Sequence, residues 1–280
     1  MFINLFISHY YSDVFVSFSR VFSYFYHVMR IGINSFVLLL ASTLSVGALA
    51  QIPNPGFESF NGMPNNVGQF YLADGWTNAG SLTSTPDYYH YFGSLGGDIP
   101  ETPVAIVNSW EGNAVMGFVA CGVAHTNFRE YISTELATPL VVGTQYLVSF
   151  RLTNGDITSL SASGLGASHI GVAFTENAPQ QMGNDPLEIT PQFYIDTVMY
   201  SREWKHVDFI FTATEAQKYM TVGIFGNDDG KIIEVREGNP QFGYYFVDDF
   251  RMVELSDDFD PTQAYYIDDS KADVVDPNSG

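Results

Sequence analysis

Apolar side chains recur at every second position along much of this chain and almost nowhere at the spacing of a helix face. Tyr146, Val148, Phe150 and Leu152 share one side of an extended segment, while Gln145, Ser149 and Arg151 take the other. Val207, Phe209 and Phe211 alternate with His206 and Asp208, and Met220, Val222 and Ile224 repeat the pattern. Successive side chains of a strand point to opposite faces, so period two marks strands with one buried face. The pattern predicts strands over 113–121, 129–136, 145–152, 169–174, 204–211, 219–225 and 244–253, divided by Gly, Asn, Asp and Pro. Such a set predicts an all-β fold, a two-sheet antiparallel jelly-roll sandwich.

The connections are uneven. Residues 61–110 carry little strand pattern and are crowded with aromatics, among them Trp76, Tyr88, Tyr89, Tyr91, Phe92 and Trp110. Long ordered loops in compact domains are usually functional. Residues 154–168, built from Ser, Gly, Ala and Leu, predict a mobile loop. Residues 176–192 hold Pro179, Pro186 and Pro191, and 227–242 predict a small hairpin around 231–235.

Both ends depart from the pattern. Residues 1–28 have no steady period and read as an upstream start miscalled in the gene. In 29–50, Met29-Arg30, an apolar run over 35–46 and Ala48-Leu49-Ala50 make a signal peptide. The alternative is a membrane anchor, but the apolar run 36–50 is shorter than the ~20 residues that span a bilayer. Residues 51–255 form the domain, and 256–280 an acidic linker or disordered tail. The expected product is secreted, extracellular or cell-surface, with no membrane insertion after cleavage.

Charge narrows the partners. The chain has 11 Lys and Arg against 31 Asp and Glu. Setting aside residues 1–50 removes Arg20, Arg30 and Asp13, which leaves nine cationic and 30 acidic side chains. Such a surface repels phosphate backbones and anionic lipid, which excludes nucleic acid as an expected partner. Cys121 is the single cysteine and sits in an apolar run, so it reads as a small buried hydrophobe and the chain has no internal disulfide.

Two acidic positions stand where strands meet turns: Glu58 in Asn54-Pro55-Gly56-Phe57-Glu58, and Asp248 in Tyr244-Tyr245-Phe246-Val247-Asp248-Asp249-Phe250. If Phe246, Phe250 and Met252 face the core, Asp248 faces inward with them and Asp249 points out beside Tyr245 and Val247. A buried carboxylate must be neutralised, paired or bound to a metal. With few cations in the chain, a bound ion is one reading of Asp248, with Glu58 as a second hard oxygen; an ordinary exposed Asp pair is the other. Calcium takes six to eight oxygens, many of them backbone carbonyls.

The opening Asn54-Pro55-Gly56-Phe57-Glu58, a central Leu140-Val141-Val142-Gly143-Thr144-Gln145-Tyr146, Trp204 before a strand and the closing Tyr245-Phe246-Val247-Asp248-Asp249-Phe250 follow in that order. The order resembles the galactose-binding-like jelly rolls, especially carbohydrate-binding modules appended to secreted glycoside hydrolases. It is also similar to a related domain of exported surface proteins from gliding bacteria, with Thr85-Pro86-Asp87-Tyr88 and Phe128-Arg129-Glu130-Tyr131 between the end motifs. The resemblance spans 52–255. It implies a structural calcium held by Glu58 and Asp248, and sugar binding on a sheet face or at the loop end. Aromatic rings serve that purpose because pyranose C–H faces stack on them while polar neighbours take the hydroxyls. Trp76, Tyr88, Tyr89 and Trp110, with Asp87 and His90 beside them, are the expected platform; Trp76 and Trp110 as core rings is the competing reading.

No Gly-x-Ser-x-Gly elbow or His-Glu-x-x-His helix occurs, and acid pairs such as Asp228-Asp229 are adjacent, so on a strand they face opposite sides. His90, His125, His169 and His206 lack metal-ligand spacing. The expectation is therefore a non-catalytic module that recognises polysaccharide or a surface glycan. An adhesive module that contacts surface proteins and a glycoside or ester hydrolase are the alternatives.

Overall fold

Two five-stranded antiparallel sheets face each other. The first runs in the order β1 (Trp76–Thr77), β5 (Ile132–Glu135), β12 (Tyr219–Ile224), β9 (Ile170–Thr175) and β10 (Phe193–Tyr194). The second runs β11 (Lys205–Thr212), β6 (Gln145–Thr153), β14 (Phe242–Glu254), β4 (Ala114–Gly122) and β2 (Asp87–His90). Two short ribbons pair β3 (Ala105–Ile106) with β7 (Asp156–Ile157) and β8 (Leu165–Ala167) with β13 (Ile233–Val235). The computed structural model describes residues 51–255 except 125, 159 and 160. The expected upstream start (1–28), signal peptide (29–50) and acidic tail (256–280) lie outside the described residues, as does His125. No helix among the described residues is long and apolar enough to cross a membrane.

The core forms where the alternating faces meet. Tyr146, Val148, Phe150 and Leu152 of β6 are all buried, as are Val207, Phe209 and Phe211 of β11 and Met220, Val222 and Ile224 of β12. These residues join one apolar cluster, in which Phe174 stacks on Phe211 at 4.6 Å and Phe150 on Phe250 at 5.2 Å. A second, smaller cluster lies on the outer face of the second sheet, where Tyr89, Val115, Tyr244 and Phe246 are covered by Ile99, Ala105 and Val107. A third covers the outer face of the first sheet, with Leu187 and Ile189 lying over Tyr131, Ala173 and Phe225.

Two connections and the register of one strand differ from expectation. The stretch 161–168 is not a loose loop: Ser163, Leu165, Ala167 and Ser168 are buried, and β8 pairs with β13. Its glycines allow close packing, since a Cβ on Gly164 would collide with the Glu237 carbonyl oxygen. Residues 231–235 likewise make no hairpin of their own, because β13 takes β8 as its partner. Within β14, Tyr245 and Val247 point into the main core and Phe246 away from it, the reverse of the expected register. A bulge between Asp248 and Arg251, with Asp249 at φ 52°, then returns Phe250 to the core.

Candidate functional site

The opening motif is a staple. Asn54, at φ 49°, donates from Nδ2 to the carbonyls of Ser59 (2.8 Å) and Asp74 (3.0 Å) and accepts from Ser59 N at Oδ1 (2.9 Å). Its own carbonyl takes the Trp76 indole N–H at 2.9 Å. Phe57 is fully buried between Trp76 (4.9 Å) and Phe250 (6.1 Å), and Phe250 N donates to Pro55 O at 3.1 Å. The two ends of the domain therefore meet, as their sequences imply.

Glu58 and Asp248 close on one loop from opposite sides. Glu58 Oε1 accepts from Asn113 N (2.7 Å) and Ala114 N (3.0 Å). Asp248 Oδ2 accepts from Trp110 N (2.9 Å) and Glu111 N (3.1 Å), and its Oδ1 from Asp249 N (2.7 Å). Asp248 is fully buried, yet not by facing the core: it shares the outward face with Phe246, and the 110–111 backbone closes over it. Burial pushes its carboxyl up to about 8, against the pull of those N–H groups. Asp249 does not point freely outward either; it is buried and takes Arg251 Nε at 2.8 Å.

These carboxylates are a partial fit to calcium. Glu58 Oε2 has a single amide contact at 3.5 Å, and Asp248 Oδ1 takes one N–H, so each keeps lone pairs free for a hard cation. Two carboxylates fall short of calcium's six to eight oxygens, and no group of three or more His, Cys, Asp or Glu gathers to hold a metal among the described residues. Backbone carbonyls would have to supply most of the shell.

The expected aromatic platform is corrected for most of its members. Tyr88 and Tyr89 are 0 % exposed, Trp76 3 %, His90 3 % and Asp87 7 %. A ring without an open face cannot stack on a sugar. The reason is that 87–90 is strand β2, covered on both sides: Tyr88 enters the main core and Tyr89 the outer cluster. Asp87 accepts from Gly68 N and from the hydroxyls of Tyr244 and Tyr89, and burial raises its carboxyl above the usual range. His90 Nδ1 accepts from Phe92 N at 3.1 Å, and burial lowers its pKa. Trp110 alone among the six is open, at 47 %, with the Arg151 guanidinium 4.2 Å from its ring centre. Cys121 is buried with its thiol pushed up to about 12, which fits an inert hydrophobe.

A cleft of about 580 Å³ opens at the β1 edge of the first sheet. Trp76, Thr134 and Met220 are cross-strand partners facing the core, so Thr77, Ser133, Glu135 and Tyr219 share the outer face and form the floor. One wall is the 70–75 segment, with Tyr71 58 % exposed; the other is Pro179 and Gln180 of the 176–192 loop. Asp74 accepts from Ser59 Oγ at 2.6 Å and from Asn61 Nδ2. Glu135 meets Lys218 Nζ at 2.6 Å. Sequence reasoning flagged both loops and, among the lining residues, Trp76 and Pro179, but not Tyr71, Asp74, Glu135, Gln180 or Tyr219. The signal was present in β12, where assigning Met220, Val222 and Ile224 to the core leaves Tyr219 on the outside.

No protein-family model and no curated protein matches the chain. Among solved structures it is similar to a Clostridium thermocellum xylanase 10B fragment with CBM22-1 and GH10 modules, at 12 % identity and a TM-score of 0.36. That match covers 75 % of this chain and 29 % of the xylanase fragment. A cleaved adhesin domain of Lys-gingipain from Porphyromonas gingivalis is 13 % identical with a TM-score of 0.36, covering 72 % of this chain and 96 % of the adhesin. The CBM22-1 xylan-binding domain of a Paenibacillus barcinonensis protein is 8 % identical with a TM-score of 0.30, covering 70 % and 98 %. At these scores the ligand must be argued from the chain's own cleft.

Proposed function

We propose that this chain is an exported, non-catalytic glycan-binding module and that the cleft beside β1 holds the glycan. The observation that carries the reading is the cleft itself: about 580 Å³ in which Tyr71 and Tyr219 stand among amide, hydroxyl and carboxylate groups. That volume and mixture suit a site where aromatic rings take sugar C–H faces and a few polar groups fix the hydroxyls. A binding rather than a reacting role is supported by the carboxyls that burial raises. Asp87, Glu130 and Asp248 are all buried, out of reach of a ligand. The carboxylates that do line the cleft, Asp74 and Glu135, are engaged by Ser59, Asn61 and Lys218.

The reading includes a structural calcium. Glu58 Oε2 and Asp248 Oδ1 would hold it, and its charge would neutralise a carboxylate that is otherwise buried among backbone N–H groups.

Affinity electrophoresis of the folded protein through polysaccharide gels tests the glycan site. Retardation is expected on at least one polysaccharide, and Tyr71→Ala and Tyr219→Ala are each expected to weaken it about tenfold, the scale of one stacked ring. Retention on no polysaccharide, or retention indifferent to both substitutions, defeats the reading. A second reading, protein contact at a surface, draws on Leu82 (98 % exposed) and Met182 (77 %). They crown two loops beside the cleft that are tied by Ser81 Oγ to Gly183 O at 2.6 Å. Leu82→Ser with Met182→Ser leaves glycan retention intact if the tyrosines carry function.

A further inference from the structure

The cleft also carries information about which glycans it admits, an inference that rests on the glycan reading above. None of its lining residues is Lys, Arg or His, whereas two are acidic. Asp74 is fixed from both sides by neutral donors, with Ser59 Oγ at 2.6 Å on Oδ2 and Asn61 Nδ2 on Oδ1. Neutral donors orient a carboxylate without cancelling its charge. The segment that bears Asp74 is itself immobilised, because Asp74 N donates to Ser59 O at 3.0 Å and Asn54 Nδ2 donates to Asp74 O at 3.0 Å. The negative charge is thus built into the wall and does not swing away when a ligand enters.

Glu135 adds a second charge at the floor. Its partner Lys218 lies outside the lining, and the two side chains are 52 % and 43 % exposed. An exposed pair of this kind is screened by solvent and cancels only in part. Gln180 folds its Nε2 onto its own neighbour, the Pro179 carbonyl at 2.8 Å. The amide stands over Gly80, where a Cβ would meet Nε2 at 2.9 Å and Oε1 at 3.0 Å, and the oxygen keeps its acceptor capacity. Acceptors and fixed negative charge face the ligand together. Beyond the cleft, the 230 residues after position 50 hold nine cationic against 30 acidic side chains, so the far field has the same sign.

We infer that the cleft selects uncharged polysaccharides and rejects those bearing uronate or sulfate groups, with Asp74 and Glu135 as the selecting residues. An acidic sugar meets two carboxylates and no compensating cation among the lining residues. A neutral sugar meets the same groups as hydrogen-bond acceptors for its hydroxyls and loses nothing.

The test uses the full chain in affinity electrophoresis on neutral gels (xyloglucan, galactomannan, mixed-linkage glucan) and acidic gels (polygalacturonate, alginate, chondroitin sulfate). The expected result is retention on a neutral polymer with at least about tenfold weaker retention on every acidic one at low salt. The gap should narrow at about 0.5 M salt, where charges farther apart than a few ångströms are screened. Glu135→Gln should narrow it at low salt, and Glu135→Gln with Asp74→Asn should narrow it further. Because Asp74 holds Asn61 and Ser59, the double variant is read only with an unchanged unfolding midpoint; Glu135→Gln, on an exposed side chain, stands alone otherwise. Equal or stronger retention on an acidic polymer at low salt overturns the inference and leaves the glycan reading standing. So does a gap indifferent to salt and to Glu135→Gln. Retention of the folded protein on no polymer, neutral or acidic, removes the glycan reading and this inference with it.

Discussion

Glu130 makes the stability of this fold fall as pH rises. The carboxyl is 5 % exposed, with Thr85 N donating to Oε1 at 3.1 Å and Val119 N to Oε2 at 2.9 Å. Burial pushes it from 4.5 up to about 7, and the charge of Asp87 adds to the rise while the two N–H groups oppose it. The folded chain therefore keeps this proton longer than the unfolded chain. Its contribution is fully present below pH 4.5, declines between 4.5 and about 7, and is gone above that window. At 1.36 kcal/mol per pH unit, the interval amounts to roughly 3 kcal/mol. Glu130→Gln removes the titration. Its amide must turn an NH2 toward one of the two backbone donors, a cost of about 1–3 kcal/mol that is the same at every pH. Urea unfolding followed by tryptophan fluorescence at pH 5, 6, 7 and 8 measures both. The wild type should lead at pH 5, and its lead should shrink by roughly 2.5 kcal/mol by pH 8, the part of the window above pH 5. A lead that stays constant or grows with pH refutes the reasoning, because the carboxylate would then be held ionised by Thr85 and Val119.

Two further outcomes are expected. Chelation should lower the thermal midpoint by several degrees, at about 2–4 °C per kcal/mol for a domain of this size, and Asp248→Ala should abolish that response. A midpoint indifferent to calcium and chelator in the wild type excludes the ion. Asp228→Ala should cost about 3–5 kcal/mol, because it strips the 2.6 Å carboxylate contact from Arg129, which is 0 % exposed. Denaturant unfolding reads this directly, and a loss under 1 kcal/mol would mean that the carbonyls of Ile224, Phe128 and Gly226 suffice for the guanidinium.

What the sequence disclosed follows from how many faces of each strand are covered. β6 and β11 are buried mainly on one face over eight to nine residues, so their alternation survives in the sequence and located them to within a residue or two. β12 is buried on both faces, but Thr221 and Gly223 fill its outer positions and keep the apolar alternation of Met220, Val222 and Ile224 legible. β2 is buried on both faces, which erases alternation and makes Tyr88 and Tyr89 look like a loop platform. The two- and three-residue strands β1, β3, β7, β8, β10 and β13 exist only through their partners, and no local pattern of that length encodes a partner. In β14 a one-residue inversion came from the bulge at Asp248–Arg251, because an inserted residue shifts every later side chain to the opposite face. The cleft was hidden for a related reason. Tyr71, Asp74 and Gln180 come from two loops about a hundred residues apart, and only the packing of 176–192 over the first sheet brings them together.

The end motifs and the cleft are parts of one construction, and Asn54 shows it. Its side chain makes three hydrogen bonds that hold Ser59 and the backbone of Asp74, and its carbonyl orients Trp76. Asp74 is cleft wall, and Trp76 lies beneath it in the core. Asn54→Ala should therefore do two things, of which Tyr71→Ala shares only the second. It should cost roughly 2–4 kcal/mol of stability, from about 1 kcal/mol per lost hydrogen bond and the strain of alanine at φ 49°. It should also weaken glycan retention while leaving every exposed ring in place, because Asp74 loses the anchor on its carbonyl. Tyr71→Ala, on a side chain 58 % exposed, should weaken retention alone. Measured side by side, unfolding midpoint and gel retardation separate the two. If Asn54→Ala lowers the midpoint but binds as the wild type does, the wall is held by other contacts, and the opening motif serves only to close the sandwich.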